Sequence, residues 1–122
     1  MHFILEFRAR LDLKEKAVLT KSSLSTSQKR LLEAMQKMNF GRIENLSIRG
    51  GEPVLNPAPR VVKDVKLGAD NGARPELESD DFALKREHIE LFENLKQLGN
   101  GTIECIEIKA GLPFRITIEQ PM

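Results

Sequence analysis

Among the side chains that do chemistry, this chain offers two glutamates at matched positions, two histidines, one cysteine and a scatter of basic residues. Glu44 and Glu104 stand 60 positions apart in like surroundings, after Ile43 and Ile103. Carboxylates paired in this way can hold a divalent ion or carry out acid–base work. A metal-dependent enzyme built on Glu44 and Glu104 is one reading, set against the plainer one of strand glutamates facing solvent near Arg42 or Arg49. His2 and His88 lie in no HExxH pattern and beside no cysteine pair, so the sequence supplies no zinc ligand set. Cys105 stands where the matched position holds Asn45, and only His88 could serve it as a base. Gly50-Gly51 and the stretch GADNG at 68–72 lack the spacing of phosphate-binding loops. No catalytic residue, metal or cofactor is assigned from the sequence, and a chain without catalysis is the expectation.

Basic residues suggest a different chemistry. Residues 1–60 hold eleven Lys and Arg against six Asp and Glu, while residues 61–122 hold eight against twelve; the two balances, +5 and −4, give the net +1. Lys29, Arg30, Lys37, Arg42 and Arg49 are the candidate contacts to a polyanion such as nucleic acid, with Lys14, Lys16 and Lys21 behind them. Opposite charge on two halves also fits attraction between neighbouring molecules, and a dedicated nucleic-acid domain carries a clearer basic excess.

The elements that must position these residues come in two copies. Shifted by 60 and laid on itself without a gap, the chain matches at nine of the 32 positions from Leu24 to Leu55, where chance gives about two. Each copy reads as strand, helix, strand, strand. Phe3, Leu5 and Phe7 alternate with polar or outward residues and predict a first strand; its counterpart runs from Arg60 to Leu67. Ser25 with Gln28 makes a capping box, and Leu31, Met35 and Met38 then form an apolar stripe. Leu84, His88, Leu91, Leu95 and Leu98 repeat the stripe, with Asp80 and Asp81 placed to favour the helix start and Gly99 to stop it. His88 on that stripe reads as a half-buried, hydrogen-bonded residue.

A hairpin follows each helix. Residues 42–49 and 102–109 are the rising strands, turned at Gly50-Gly51 and Ala110-Gly111, with a type I turn and G1 bulge expected. Pro53 and Pro113 place the returning strands at an edge or a ladder break. Ile43 and Ile103 lie three positions, not two, before Leu46 and Ile106, which predicts a β-bulge at Glu44-Asn45 and again at Glu104-Cys105.

The run Asn39-Phe40-Gly41-Arg42-Ile43, continued by Ile48-Arg49-Gly50-Gly51 and Val54, resembles the small bacterial YezD-like proteins, with their short helix, aromatic-Gly turn and Gly-turned hairpin. The likeness spans about 30 residues in each copy. It departs at the extra bulge residue and at Asn100, which replaces the aromatic in the second copy. It implies the fold unit and no activity.

The expected fold is α+β: one domain of two βαββ copies, 1–60 and 61–122, joined at Pro57 and Pro59. Six mostly antiparallel strands carry two helices on one face about a pseudo-twofold axis. Ile4 and Val62 suggest that the other face is partly apolar. The start MHFILEFRAR alternates and lacks a signal peptide's pattern, no apolar run is long enough for a membrane span, and one cysteine excludes an internal disulfide. A cytoplasmic interaction or assembly module is the favoured function, with a protein partner or a homodimer and no membrane; nucleic-acid binding is the alternative.

Overall fold

In the computed structural model, which describes residues 20–69 and 84–119, both apolar stripes are helices of 13 residues. Helix α1 spans Thr26–Met38 and α2 spans Arg86–Leu98. Five strands complete the fold: β1 Gly41–Arg49, β2 Glu52–Val54, β3 Arg60–Lys63, β4 Gly101–Lys109 and β5 Leu112–Ile118. The class is α+β, and every strand pairing is antiparallel.

Helix α1 starts as its sequence requires. Ser25 is extended (φ −68°, ψ 166°), its Oγ accepts the Gln28 N–H at 3.2 Å, and Gln28 Oε1 accepts the Ser25 N–H at 2.9 Å. Helix α2 has no Ser at the equivalent place. Lys85 is the N-cap, and His88 takes the role of Gln28, its Nδ1 accepting the Lys85 N–H at 3.2 Å. Both helices end on a residue with positive φ and negative ψ, Asn39 (67°, −56°) and Gly99 (70°, −74°), each the centre of a γ-turn in which the Phe40 N–H reaches the Met38 carbonyl and the Asn100 N–H the Leu98 carbonyl, both at 2.8 Å. Asp80 and Asp81 lie outside the described residues.

Strands β1 and β4 form the centre of the sheet. β4 lies along one side of β1 and β5 lies beyond β4; β2 and β3 share the other side of β1. β2 covers the end of β1 at Ser47–Arg49, and β3 covers its start, Gly41 facing Lys63 and Glu44 facing Arg60. In the β1–β4 ladder Gly41 meets Ile108 and Ile48 meets Gly101; Ile43 meets Ile106 and Leu46 meets Ile103. Replacing both residues of a pair by those 60 positions away turns the first pair of each set into the second. The same exchange links two hydrogen bonds, Gly51 N–H to the Gly99 carbonyl and Gly111 N–H to the Asn39 carbonyl, both 2.8 Å.

The core lies between this sheet and both helices. Leu31, Leu32, Met35, Met38, Leu91, Phe92 and Leu95 meet Ile43, Leu46, Ile48, Ile103, Ile106 and Ile108, all buried. Ile43 and Leu46 both reach it across three positions because Glu44 and Asn45 together turn outward, with Asn45 at φ 59°. The expected irregularity is therefore present. It causes no slip between β1 and β4, since the extra residues of the two strands lie opposite each other; the shift appears instead between β4 and β5, at Ile103/Cys105.

Two expectations need correction. The described sheet has five strands, and the expected first strand around Phe3, Leu5 and Phe7 lies outside the described residues. The strand expected over residues 60–67 stops at Lys63, leaving Val65 and Leu67 exposed, and it lies on the edge of β1 in line with β2. Prolines at 57 and 59 interrupt ladder pairing there, and the chain resumes on the same edge beyond them. The hairpin turns are of type I′, not type I with a G1 bulge. Gly50 (57°) and Gly51 (77°) both have positive φ, as do Ala110 (53°) and Gly111 (76°), and two-residue connections favour that hand because it matches the strand twist.

Candidate functional site

Side chains with chemical potential collect on the sheet face away from the helices. In one row across that face stand Arg60, Glu44, Cys105 and Thr117; in the next stand Val62, Arg42, Glu107 and Arg115. Arg42 Nε donates to Glu44 Oε2 at 3.0 Å, Arg60 lies 3.4 Å from Glu44 Oε1, and Arg115 is hydrogen-bonded to Glu107. Glu44 thus lies between two guanidinium groups, and its hydrogen bond raises the pKa of Arg42 further above the ordinary range. These charges alternate in sign, and apolar side chains stand among them on the same side: Val62 faces Arg42, Val54 faces Ser47 and Leu112 faces Lys109. Ile4 lies outside the described residues.

Glu104, the partner expected for Glu44, is exposed within the irregular step of β4, and no group of three His, Cys, Asp or Glu able to hold a metal occurs among the described residues. Cys105 is half-buried on the polar face. Burial chiefly, then the charges of Glu107 and Glu44, push its thiol above the ordinary cysteine range, which disfavours the nucleophilic thiolate. His88 is more deeply placed than expected, at 2% exposed, and is committed to the start of α2.

The candidate basic residues divide between two surfaces. Lys29, Arg30 and Lys37 are carried by α1, whereas Arg42 is ion-paired on the polar sheet face and Arg49 is exposed beside the first hairpin turn. Lys21 is almost buried and lies 3.7 Å from Glu33. Lys14 and Lys16 lie outside the described residues.

What the sequence did not single out is the contrast between the sheet's two edges. The β2–β3 edge contains Pro53, Pro57 and Pro59 and is interrupted between Val54 and Arg60. On the other side β5 runs for seven residues and pairs, among the described strands, only with β4. Pro113 lies at its start and Phe114 is an extra residue in the ladder, since Pro113 faces Ile108 and Arg115 already faces Glu107. From Arg115 to Ile118 no residue of β5 is skipped. Phe114 is 55% exposed at the mouth of a groove between α2 and β5, which is also lined by Glu87, Glu90, Leu91 and Ile116. The corresponding place in the first half is lined by Ser27, Arg30, Leu55 and Asn56. Arg30 there is matched by Glu90 here. The signal for this edge was in the sequence, as three prolines across residues 52–63 against one across residues 112–118, but it becomes an edge only once the strand order is known.

Over the described residues, the fold and site define a small α+β protein with a helix-covered antiparallel sheet in which β5 pairs only with β4. No helix among the described residues is long and apolar enough to cross a membrane. No protein-family model, curated protein or solved structure matches the chain.

Proposed function

We propose that this chain is a non-catalytic interaction and assembly module that works through the free edge of β5. The observation that carries the reading is the asymmetry of the edges. An open strand edge presents unpaired N–H and C=O groups that recruit another strand, and proteins blunt such edges with proline, charge or interruption. The β2–β3 edge is broken by three prolines and a gap between Val54 and Arg60; β5 from Arg115 to Ile118 has neither proline nor gap. A protein partner or a second copy of the chain is the occupant, and the cytoplasm remains the expected compartment for a chain with a single cysteine.

The reading includes an internal duplication of a βαββ unit about a pseudo-twofold axis, with each unit of the YezD-like kind. The 60-residue offset of α1 from α2 and of β1 from β4 supports it, as do the exchangeable ladder pairs and the exchangeable Gly51 and Gly111 hydrogen bonds. On this view the axis passes between β1 and β4 near Glu44-Asn45 and Glu104-Cys105.

Nucleic-acid binding remains the alternative, favoured by the grouping of Lys29, Arg30 and Lys37 on α1 with Glu33 as that helix's one acid. Chemical-shift mapping separates the readings. Random-sequence duplex DNA added at low salt should leave α1 unmoved; shifts at Lys29, Arg30 and Lys37 would favour the alternative. Mn²⁺ should leave the signals of Glu44 and Glu104 unbroadened, and broadening there would revive the metal enzyme. For the edge reading, amides of residues 115–118 that face away from β4 should exchange quickly in dilute protein. Full protection of those amides in the dilute monomer would defeat it.

A further inference from the structure

We infer that β5 pairs with β5 of a second copy, antiparallel, with Thr117 on the twofold axis. The inference rests on the edge reading above and adds the partner and the register. An antiparallel pair of identical strands is isologous, so a register is fixed by the one residue that meets itself. Placing Thr117 there sets Ile116 against Ile118 of the second copy and Arg115 against Glu119, each contact occurring twice.

Three features favour this register over its neighbours. Directly opposite residues of an antiparallel pair point to the same side. Ile116 faces Ile106 and Ile118 faces Ile103, so both isoleucines lie on the helix-covered side and both are packed against the core while still partly exposed. Pairing them joins two apolar cores into one continuous layer. Arg115 faces Glu107 on the polar side; Glu119 follows the last residue of β5, Ile118, and continued alternation would bring it to that side. The cross-strand Arg115–Glu119 pairs then meet with opposite charge, where like charges would repel. Finally, the register uses residues 115–119, beyond the extra residue Phe114, and β5 itself skips no residue from Arg115 to Ile118, since the shift at Ile103/Cys105 falls on β4. Centring on Arg115 instead would oppose two guanidinium groups, and centring on Ile116 would set Arg115 against Thr117 and leave the charge unmatched. The interface is small, and a weak dimer with a dissociation constant on the order of micromolar is expected.

The test starts from the whole chain carrying Cys105→Ser. Thr117→Cys in that background should form an intermolecular disulfide under mild oxidation, because opposed residues have Cα atoms about 4.5 or 5.5 Å apart, within disulfide reach. Val54→Cys, on the interrupted edge, should not. Sedimentation at up to about 100 µM should show a dimer that Glu119→Arg weakens about tenfold and that Arg115→Glu with Glu119→Arg restores. A dimer indifferent to these charge changes, and not trapped by Thr117→Cys, overturns the register. A chain monomeric throughout, with edge amides exchanging quickly, overturns the dimer and leaves the edge open to a different strand. Monomers whose edge amides are protected overturn both this inference and the reading it rests on.

Discussion

The two halves of the molecule share a core and differ at their rims. In the first half the strand returning from the hairpin breaks at its prolines and β3 closes the side of β1; in the second, β5 continues along β4 for seven residues. Gly41 records the difference. A Cβ there would lie 2.1 Å from the Val62 carbonyl oxygen and 2.8 Å from Met38 Sδ, and its φ of 151° is already outside what other residues adopt readily. Gly101, its counterpart, would meet only the side chain of Leu98, from 3.1 Å, and is exposed. One sequence position is thus required to be glycine by a neighbouring strand in one half and by little in the other. Matched buried residues preserve the fold while rim residues diverge, because burial constrains side-chain volume and solvent does not.

The largest expected effect follows directly. Gly41→Ala should lose about 3 kcal/mol of stability by pushing β3 from β1 and straining the backbone, while Gly101→Ala should stay within about 1 kcal/mol. Urea unfolding of the two variants measures it, and equal losses would show that β3 does not seat against Gly41. Next comes the helix start. Ser25→Ala removes the cap of α1 and the hydroxyl that donates to Glu52 Oε2 at 2.8 Å, and should cost about 1–2 kcal/mol. Lys85→Ser gives α2 the cap it lacks and should gain about 0.5–1 kcal/mol. A loss in the second variant would mean that Lys85 does something at that position that its geometry does not reveal.

The smallest stability effects belong to the turns. Gly50 and Ala110 hold nearly the same positive φ, and a Cβ on Gly50 would meet nothing within 4 Å. Gly50→Ala should therefore cost about 0.5–1 kcal/mol and Ala110→Gly should return a similar amount, the left-handed strain being partly offset by glycine's freedom in the unfolded chain. Thermal midpoints moving in opposite directions would confirm it. Last, Cys105 should alkylate more slowly than an exposed thiol at neutral pH and speed up as pH rises, since its raised pKa keeps it protonated. Glu107→Gln removes one cause of that shift and should quicken the reaction. Fast labelling of the unaltered chain would contradict the burial of the thiol.

Much of the architecture is legible in the sequence because it is periodic. Leu31, Met35 and Met38 recur at helical spacing and Ile106 and Ile108 at strand spacing, while the three-residue step from Ile43 to Leu46 by itself announces the outward pair Glu44 and Asn45. The turn type is hidden by Ala110, which tolerates positive φ poorly and so conceals the need for it; only the two-residue connection between paired strands forces that hand. The place of β3 is hidden for a related reason. Local pattern marks Arg60 to Lys63 as a strand but is silent about which neighbour it joins, and past Pro57 and Pro59 it joins the side of β1 that β2 also covers. The candidate site is less legible still. The five basic residues lie on one helix and the strand that follows it, yet they divide between separate surfaces, and Glu44 is taken by arginines from β1 and β3.

By itself, the sequence determined the α+β class, the two helices, their stops and the apolar faces, because those depend on spacing along one chain. Tertiary structure alone decided that, among the described strands, β1 and β4 are central, β2 and β3 share one side, and β5 is at an edge. Strand order sets which backbone groups find partners, and a hydrogen-bonding group's partner across the sheet leaves no mark in the spacing of its own strand.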